Sequence, residues 1–428
     1  MTTIAAIGGQ WGDEGKGKVV DLLAEKAKFV ARFSGGDNAG HTVINPCGEF
    51  RLHLVPSGIF YPQVTSLICN GVVVNPAVLL KELAELKERG VDTSRLVISR
   101  RAHLIMPYHT LLDGLEEDRR GGNALGTTRK GIGPAYADKT ARLGIRIGDL
   151  ADRDAFRTRL QHVLAGKNAI LEKVYQVPAL SLQQVHDEYC GYAASLAPLI
   201  GDTESIIQDA ARRGEPVLLE GAQGSLLDPD FGTYPYVTSS SPLAGNSCLG
   251  SGLNPRQLGY ILGVFKAYIT RVGSGPMPTE LQDATGELIR ETAHEYGATT
   301  GRPRRCGWFD AVAARLTVRI NGFDGIALTR LDVLDSFPSI NVCVAYRIGG
   351  RTVDQFPDTA AVLQQCEPVY QEFPGWQTPT SDVTSFEKLP RQARDYITAL
   401  EELIGCQATL VSVGARRHQS IWKGKIPW

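Results

Sequence analysis

IAAIGGQWGDEGKGKVVDLLA, residues 4–24, decides the fold. Its first four residues, Ile4–Ile7, form an apolar run that leads straight into glycines at 8, 9, 12, 15 and 17. From Lys18 to Lys28 apolar residues then recur at helical spacing. A strand that delivers a glycine-rich loop to a helix N-terminus gathers backbone N–H groups and the positive end of a helix dipole at one point, the arrangement that cradles phosphate. Gly12 to Lys18 satisfies GxxxxGK, but Val19 stands where Ser or Thr would ligate Mg²⁺, so the loop is P-loop-like rather than standard. It also holds Asp13 and Glu14. Acidic groups would be repelled from a phosphate cradle unless a metal or a proton transfer makes use of one. The competing reading is a plain glycine-rich turn; strand context, glycine density and the lysines at 16 and 18 favour the cradle.

Outward from this loop, short apolar runs alternate with amphipathic helical patterns. Ile4–Ile7, Ser66–Cys69, Pro216–Leu219, Val264–Thr270, Gly325–Thr329, Val342–Tyr346 and Thr409–Ser412 read as strands. Lys18–Lys28, Pro76–Arg89, Arg153–Tyr175, Ser181–Ile200, Ser205–Arg213, Trp308–Ile320 and Pro390–Leu403 read as helices. The pattern predicts an α/β fold with a large, mostly parallel central sheet flanked by helices, with a helical insertion and small subdomains. One elaborated nucleotide-binding domain over 1–428 is expected, with 153–214 a candidate helical subdomain inside it. The net charge of -1 and pI near 6.7 give no global field for nucleic acid or an anionic membrane, so anionic ligands must be met by local cations. Eight cysteines without CxxC pairs fit reduced thiols better than disulfides or a zinc site. With no secretory leader or membrane-length apolar run, the expected compartment is the cytoplasm.

Further glycine-rich segments follow predicted strands. Ser34–Thr42, SGGDNAGHT, offers Asn38 as a neutral hydrogen-bonding edge and His41 as a group able to donate a proton near neutral pH. Gly126–Pro134, GTTRKGIGP, joins hydroxyls and cations on a glycine-rich backbone, with Arg142 and Arg146 close behind. Gly221–Gly224, GAQG, and the hydroxyl-rich 233–241 come next. Gly297–Arg305, GATTGRPRR, packs hydroxyls and arginines into a clamp suited to carboxylate or phosphate. Thr329-Arg330-Leu331-Asp332 places an acid at a strand end, where a carboxylate can accept from N1–H and the 2-amino group of guanine. Each of the basic segments also has a bland reading as a solvated turn. A switch GTPase needs one nucleotide site, whereas several anion sites suit a reaction among several anionic substrates.

In this order the segments closely resemble the adenylosuccinate synthetase family: GGQWGDEGKGK (8–18), NAGHT (38–42), GTT-x-x-GIGPAY (126–136), EGAQG (220–224), GTYPYVTSS (232–240), TRVG-x-GP-x-PTE (270–280), GATTGR (297–302) and LDVLD (331–335). The resemblance spans nearly the whole chain. It implies GTP-dependent ligation of L-aspartate to IMP through a 6-phosphoryl intermediate, with Mg²⁺ as cofactor. It further implies that Asp13 is the base that takes the N1 proton of IMP and ligates Mg²⁺ together with the Gly40 carbonyl. His41 is implied as the acid that assists phosphoryl transfer, and Lys16 and Gln223 complete the catalytic set. GTP would be held by Gly12, Asp13, Glu14, Gly15, Lys16, Gly17, Lys18, Gly40, His41 and Thr42, by Arg304, and at the guanine by Arg330, Asp332, Ser412 and Gly414. IMP would meet Asp13, Asn38, Thr128, Gln223, Thr238 and Arg302, joined by Arg142 from a neighbouring subunit, which implies a homodimer. Aspartate would meet Thr299, Thr300, Arg302 and Arg304.

Three positions depart from the family pattern: Asp37 adds negative charge beside a phosphate site, Arg330 replaces the usual Lys, and Ser412–Arg417 differs from the usual guanine-side loop. Two other readings compete. A synthetase of the same fold acting on a 2-amino purine nucleotide or using ATP would explain the loops, although retention of Asp13 favours IMP. A regulatory GTP-binding switch would explain the first loop and Asp332, but neither 299–305 nor 127–130.

Overall fold

The computed structural model describes residues 2–45, 47–297, 301 and 303–428. Ten strands form the central sheet: β1 (Thr3–Gly8), β2 (Phe29–Arg32), β3 (Thr65–Ile68), β4 (Leu96–Ser99), β5 (Ile200–Gly201), β6 (Val217–Glu220), β7 (Tyr260–Lys266), β8 (Gly325–Thr329), β9 (Ala408–Ser412) and β10 (Ser420–Trp422). Their order is β10-β9-β8-β7-β1-β6-β2-β3-β4-β5. Only the β9–β10 pair is antiparallel. The chain lays β2 to β5 outward on one side of β1, returns as β6 beside it, and crosses to build β7 to β10 on the other. The order therefore reverses at β1, and the carboxyl ends of β1, β6 and β7 open onto the crevice where such sheets bind ligands.

The pleat explains why β1 is apolar throughout. Ile4 and Ala6 join Val19, Val20, Leu23 and Ala24 of the first helix (α1, Lys16–Ala24) on one face. Ala5 and Ile7 join Ala31, Leu67, Leu219 and Phe265 on the other. Full burial of an Ile or Val side chain stabilises by roughly 1.5–3 kcal/mol. Val19 is wholly buried in the first of these clusters, so the residue that spoils the standard phosphate-loop pattern is a core residue.

Helix α1 starts at Lys16 and ends at Ala24, earlier at both ends than the sequence pattern places it, because Gly15 adopts φ 84° as its N-cap. The predicted strand Val264–Thr270 divides into β7 and a separate strand Ile269–Arg271. The Gln10 side chain fills the break: its amide accepts from Lys266 N and donates to the Lys266 and Tyr268 carbonyls. Val342–Tyr346 lies within Ser339–Ile348, which belongs to a small separate sheet and pairs antiparallel with Glu367–Pro374. Within 153–214, β5 joins the main sheet edge beside β4, and helices Arg153–Lys173 and Leu182–Leu196 pack on the apolar cluster under β3 and β4.

Candidate active site

The loop after β1 turns through three left-handed residues, Gly12 (φ 88°), Asp13 (φ 58°) and Gly15 (φ 84°). This path sends the two acids in opposite directions. Glu14 is fully buried beneath the loop, where its Oε1 accepts from Gln10 N at 3.0 Å and Gly12 N at 2.9 Å. Its Oε2 meets Lys16 Nζ at 2.5 Å, so buried Lys16 neutralises the acid that shapes the cradle. Asp13 instead faces out, with its side chain about a third exposed at 33%. Gly224 can only be glycine here, since a Cβ would overlap Gln10 O, Gly12 N and a Glu14 carboxylate oxygen. Gly17 has a similar role, its Cβ position lying 2.9 Å from Thr42 O and 3.3 Å from His41 Cβ, so α1 packs directly on the His41 strand.

His41 opens the strand His41–Asn45 and is buried. Its Nδ1 donates to Glu220 Oε1 at 2.5 Å. Glu220, at the carboxyl end of β6, is fully buried and also accepts from Ser57 N at 2.8 Å and Ser57 Oγ at 3.0 Å. Burial alone would raise the Glu220 carboxyl, but the His41 contact, the Ser57 N–H and the Arg32 charge outweigh it and hold the group below the usual range. A carboxylate on Nδ1–H fixes the tautomer and leaves Nε2 for chemistry. Glu220 is a residue of this cluster that the sequence did not single out; its position inside EGAQG was the only signal.

Beside this pair, Gln223 (φ 56°) donates from Nε2 to Asn38 Oδ1 at 3.1 Å, while its own Oε1 is buried without a protein partner. Two amides thus present an incompletely paired polar edge, as a purine ring requires. Thr238 is half-buried, with its N–H on Leu227 O at 2.8 Å. Thr128 is exposed on a loop that Glu117 gathers by accepting from the backbone of Leu125, Gly126 and Thr127. Lys130 pins the same loop to its neighbour, donating to Asp37 O at 2.5 Å and lying 3.8 Å from Asp37 Oδ2. The extra negative charge at Asp37 is accounted for in this way. It is buried, which pushes its carboxyl up, and Lys130 offsets it.

On the other side of the cradle, Arg304 Nε stands 2.8 Å from Asp13 Oδ2, and its Nη1 donates to Glu295 Oε2 at 2.6 Å. Arg330 (φ 62°) caps the short helix Leu331–Leu334, which carries Asp332. Asp332 Oδ1 is buried with no partner, and burial pushes its carboxyl up against the pull of Arg330. An unpaired acceptor of this kind suits guanine N–H donors. Lys18, sited in the phosphate-loop motif, points to this guanine side. Its Nζ donates to Ser412 Oγ (2.7 Å), Gly414 O (2.7 Å) and Gln419 O (2.8 Å), which uses every N–H an ammonium has.

Asp13, Lys16, Gly40, His41, Thr42, Asn38, Gln223 and Arg304 therefore cluster at the carboxyl ends of β1, β2, β6 and β7. Asp332, Ser412 and Gly414 extend the cluster at β8 and β9. Arg142 lies at the far end of helix Ile132–Ala141, whose first turn abuts the Gly35–Gly36 backbone. Its ten residues span about 15 Å, so Arg142 stands well away from that contact. Thr299, Thr300 and Arg302 lie outside the described residues. Among the described residues, no three His, Cys, Asp or Glu side chains converge on a metal position. Asp13, with its carboxylate turned outward, and the backbone carbonyl of Gly40 are oxygen donors of the hard kind that suits Mg²⁺.

A family model described as adenylosuccinate synthetase matches residues 5–421. An adenylosuccinate synthetase of Dehalococcoides mccartyi is 56% identical over 423 residues, which is 99% of this chain and 100% of that protein. A fully ligated adenylosuccinate synthetase from Plasmodium falciparum superposes with a TM-score of 0.93 at 36% identity, over 99% of this chain and 100% of that one. The cyanophage S-2L succinoaminodeoxyadenylate synthetase bound to dGMP and dATP shares the fold alone, with a TM-score of 0.62 at 20% identity over 99% of this chain and 96% of that one.

Proposed function

The chain belongs to the adenylosuccinate synthetase family, and from that membership we propose which of its residues carry each step. It is a GTP-dependent ligase that joins L-aspartate to IMP in AMP biosynthesis. The observation that carries the residue assignment is the pairing of an outward Asp13 with a His41 fixed by buried Glu220, on two loops that α1 holds together.

Asp13 takes the proton from N1 of IMP, which moves charge onto O6. O6 then attacks the γ-phosphorus of GTP and GDP departs. His41, held through Nδ1, donates a hydrogen bond from Nε2 to the phosphoryl oxygens as charge builds. Lys16, neutralising Glu14, keeps the backbone N–H groups of 13–17 free for phosphate while Glu14 holds the Gly12 N–H from beneath. The aspartate amine displaces phosphate from C6, completing the exchange of a C–O for a C–N bond. Asn38, Gln223, Thr128, Thr238 and Arg302 hold IMP. Thr299, Thr300, Arg302 and Arg304 hold the dicarboxylate. Asp332 reads guanine while Arg330, Ser412 and Gly414 flank the ring. Mg²⁺, held by Asp13 and the Gly40 carbonyl, would supply charge neutralisation at the phosphates.

The functional unit is a homodimer in which Arg142 reaches the partner's IMP. This is supported by the exposure of Arg142 and by the exposed apolar side chains of Phe231, Tyr234 and Leu249. We place the protein in the cytoplasm: all eight cysteines are free, and no described helix is long and apolar enough to cross a membrane. The 2-amino purine and ATP readings are not favoured, since the chain is 56% identical to an adenylosuccinate synthetase over 99% of its length.

Asp13→Ala tests the assignment. Turnover should vanish while circular dichroism and the unfolding transition stay native; retained turnover would remove Asp13 from the role of base.

A further inference from the structure

One buried charge pair, Lys266 and Glu295, has no part in the steps above. Glu295 is fully buried, and its Oε1 accepts from Lys266 Nζ at 2.6 Å and from Tyr268 Oη at 2.5 Å. Its Oε2 accepts from Arg304 Nη1 at 2.6 Å, and its carbonyl accepts from Arg304 N at 2.8 Å. Lys266 is equally buried and gives a further hydrogen bond to Thr270 Oγ1 at 2.8 Å. Four alternating charges therefore stand in line: Lys266, Glu295, Arg304 and Asp13. Exposure rises along the row, from the buried Lys266 and Glu295 through the partly exposed Arg304 to Asp13 at its open end.

A buried lysine–glutamate pair seldom adds stability over an apolar pair of equal volume, so its presence asks for another reason. Burial would by itself push the Glu295 carboxyl up, but Lys266, Arg304 and Arg330 overcome that and bring it down to about 2. With a cation on each oxygen, Glu295 is an ionised anchor. Arg304 is gripped on one side by this fixed carboxylate, while its Nε edge faces the more exposed Asp13. A guanidinium has five donors in a rigid fork, so holding one nitrogen sets the direction of the rest.

We propose that Glu295 is the positioning residue that aims Arg304 at the substrate carboxylate, with Lys266 as the counter-charge that keeps Glu295 an anion. Without Glu295, Arg304 keeps only the Asp13 carboxylate as a partner and turns toward it, away from the incoming dicarboxylate. The inference rests on the reading that Arg304 binds aspartate.

The test is steady-state kinetics on the full-length protein with three variants. Arg304→Leu examines the underlying reading and should raise the KM for aspartate more than that for GTP. Glu295→Gln should raise the aspartate KM by more than tenfold, the loss expected for one charge-assisted hydrogen bond, with kcat and the KM values for IMP and GTP within about threefold. The double variant Lys266→Met/Glu295→Gln removes both buried charges and so avoids a stranded lysine; it should show the same aspartate defect. A purely architectural Glu295 would lower the active fraction, and hence kcat, without moving the aspartate KM, and that result overturns the proposal. Were Arg304→Leu to leave the aspartate KM unchanged, the assignment of Arg304 would fall, and the proposal with it. An aspartate defect in Arg304→Leu alone would overturn only the positioning role of Glu295.

Discussion

Glu220 and His41 stand 179 positions apart, yet their side chains meet in a hydrogen bond that decides which imidazole nitrogen faces substrate. Glu220→Gln keeps the size of the side chain but replaces the carboxylate that holds His41 Nδ1 with a neutral amide. Its kcat should fall by roughly 10²-fold, within the span attributed to a positioned acid or base, while the KM for GTP changes little. An unchanged kcat would mean that Glu220 only fills space. Asp13 and His41 were legible as reactive groups because an acid in a phosphate loop and a histidine in a glycine-rich loop are chemically conspicuous. Glu220, Glu295 and Glu117 were not, because a buried carboxylate is recognisable only through partners that the fold supplies. The inward turn of Glu14 was equally hidden, since it follows from the left-handed φ of Gly12 and Asp13 rather than from residue type.

The first helix carries two predictions at the scale of an element. Val19 is wholly buried against Ile4 and Ala6, so Val19→Thr, which restores the standard phosphate-loop pattern, places a hydroxyl in the core. Unfolding in urea should show a loss of about 1–2 kcal/mol. A more stable variant would mean that the face of α1 has been misread. Lys18 ties the same helix to the loop after β9, and burial lowers its pKa from 10.5 to about 8, against the pull of Asp332. The unfolded chain therefore holds a proton that the folded chain lacks between pH 8 and 10.5. Stability gains from this group as pH rises through that window, and below pH 8 the cost of burying the charge is carried in full. Lys18→Met should flatten that rise. It should also raise the KM for GTP, because Ser412 and Gly414 lose their tie. The paired apolar strands and long helices were readable from periodicity, since strands buried on both faces have no polar interruptions. Ile200–Gly201 and Ser420–Trp422 escaped notice because runs of two or three residues carry no period. Helix Pro107–Arg120 escaped because its inward face includes His109, Asp113 and Glu117, which look exposed until the loop they support is seen.

At the scale of the whole molecule, the loops that carry Asp13, His41 and Gln223 stand together at the carboxyl ends of the central strands, while Arg142 is exposed at the end of its helix. That division predicts complementation between subunits. Asp13→Ala and Arg142→Leu proteins, each inactive alone, should recover roughly a quarter of wild-type turnover when mixed and allowed to exchange, because half the dimers are mixed and one of their two sites is intact. No recovery between exchanging subunits would confine Arg142 to its own chain. The order of the motifs made the family visible before the fold, whereas the proposed dimer is a matter that no single chain displays. The measurement that bears most directly on the whole account is turnover of the full-length protein with IMP, L-aspartate and Mg²⁺, in parallel with GTP and with ATP, following the succinyl-purine product by absorbance. Product with GTP and little or none with ATP is the predicted result; equal turnover with ATP, or none with either nucleotide, would contradict it.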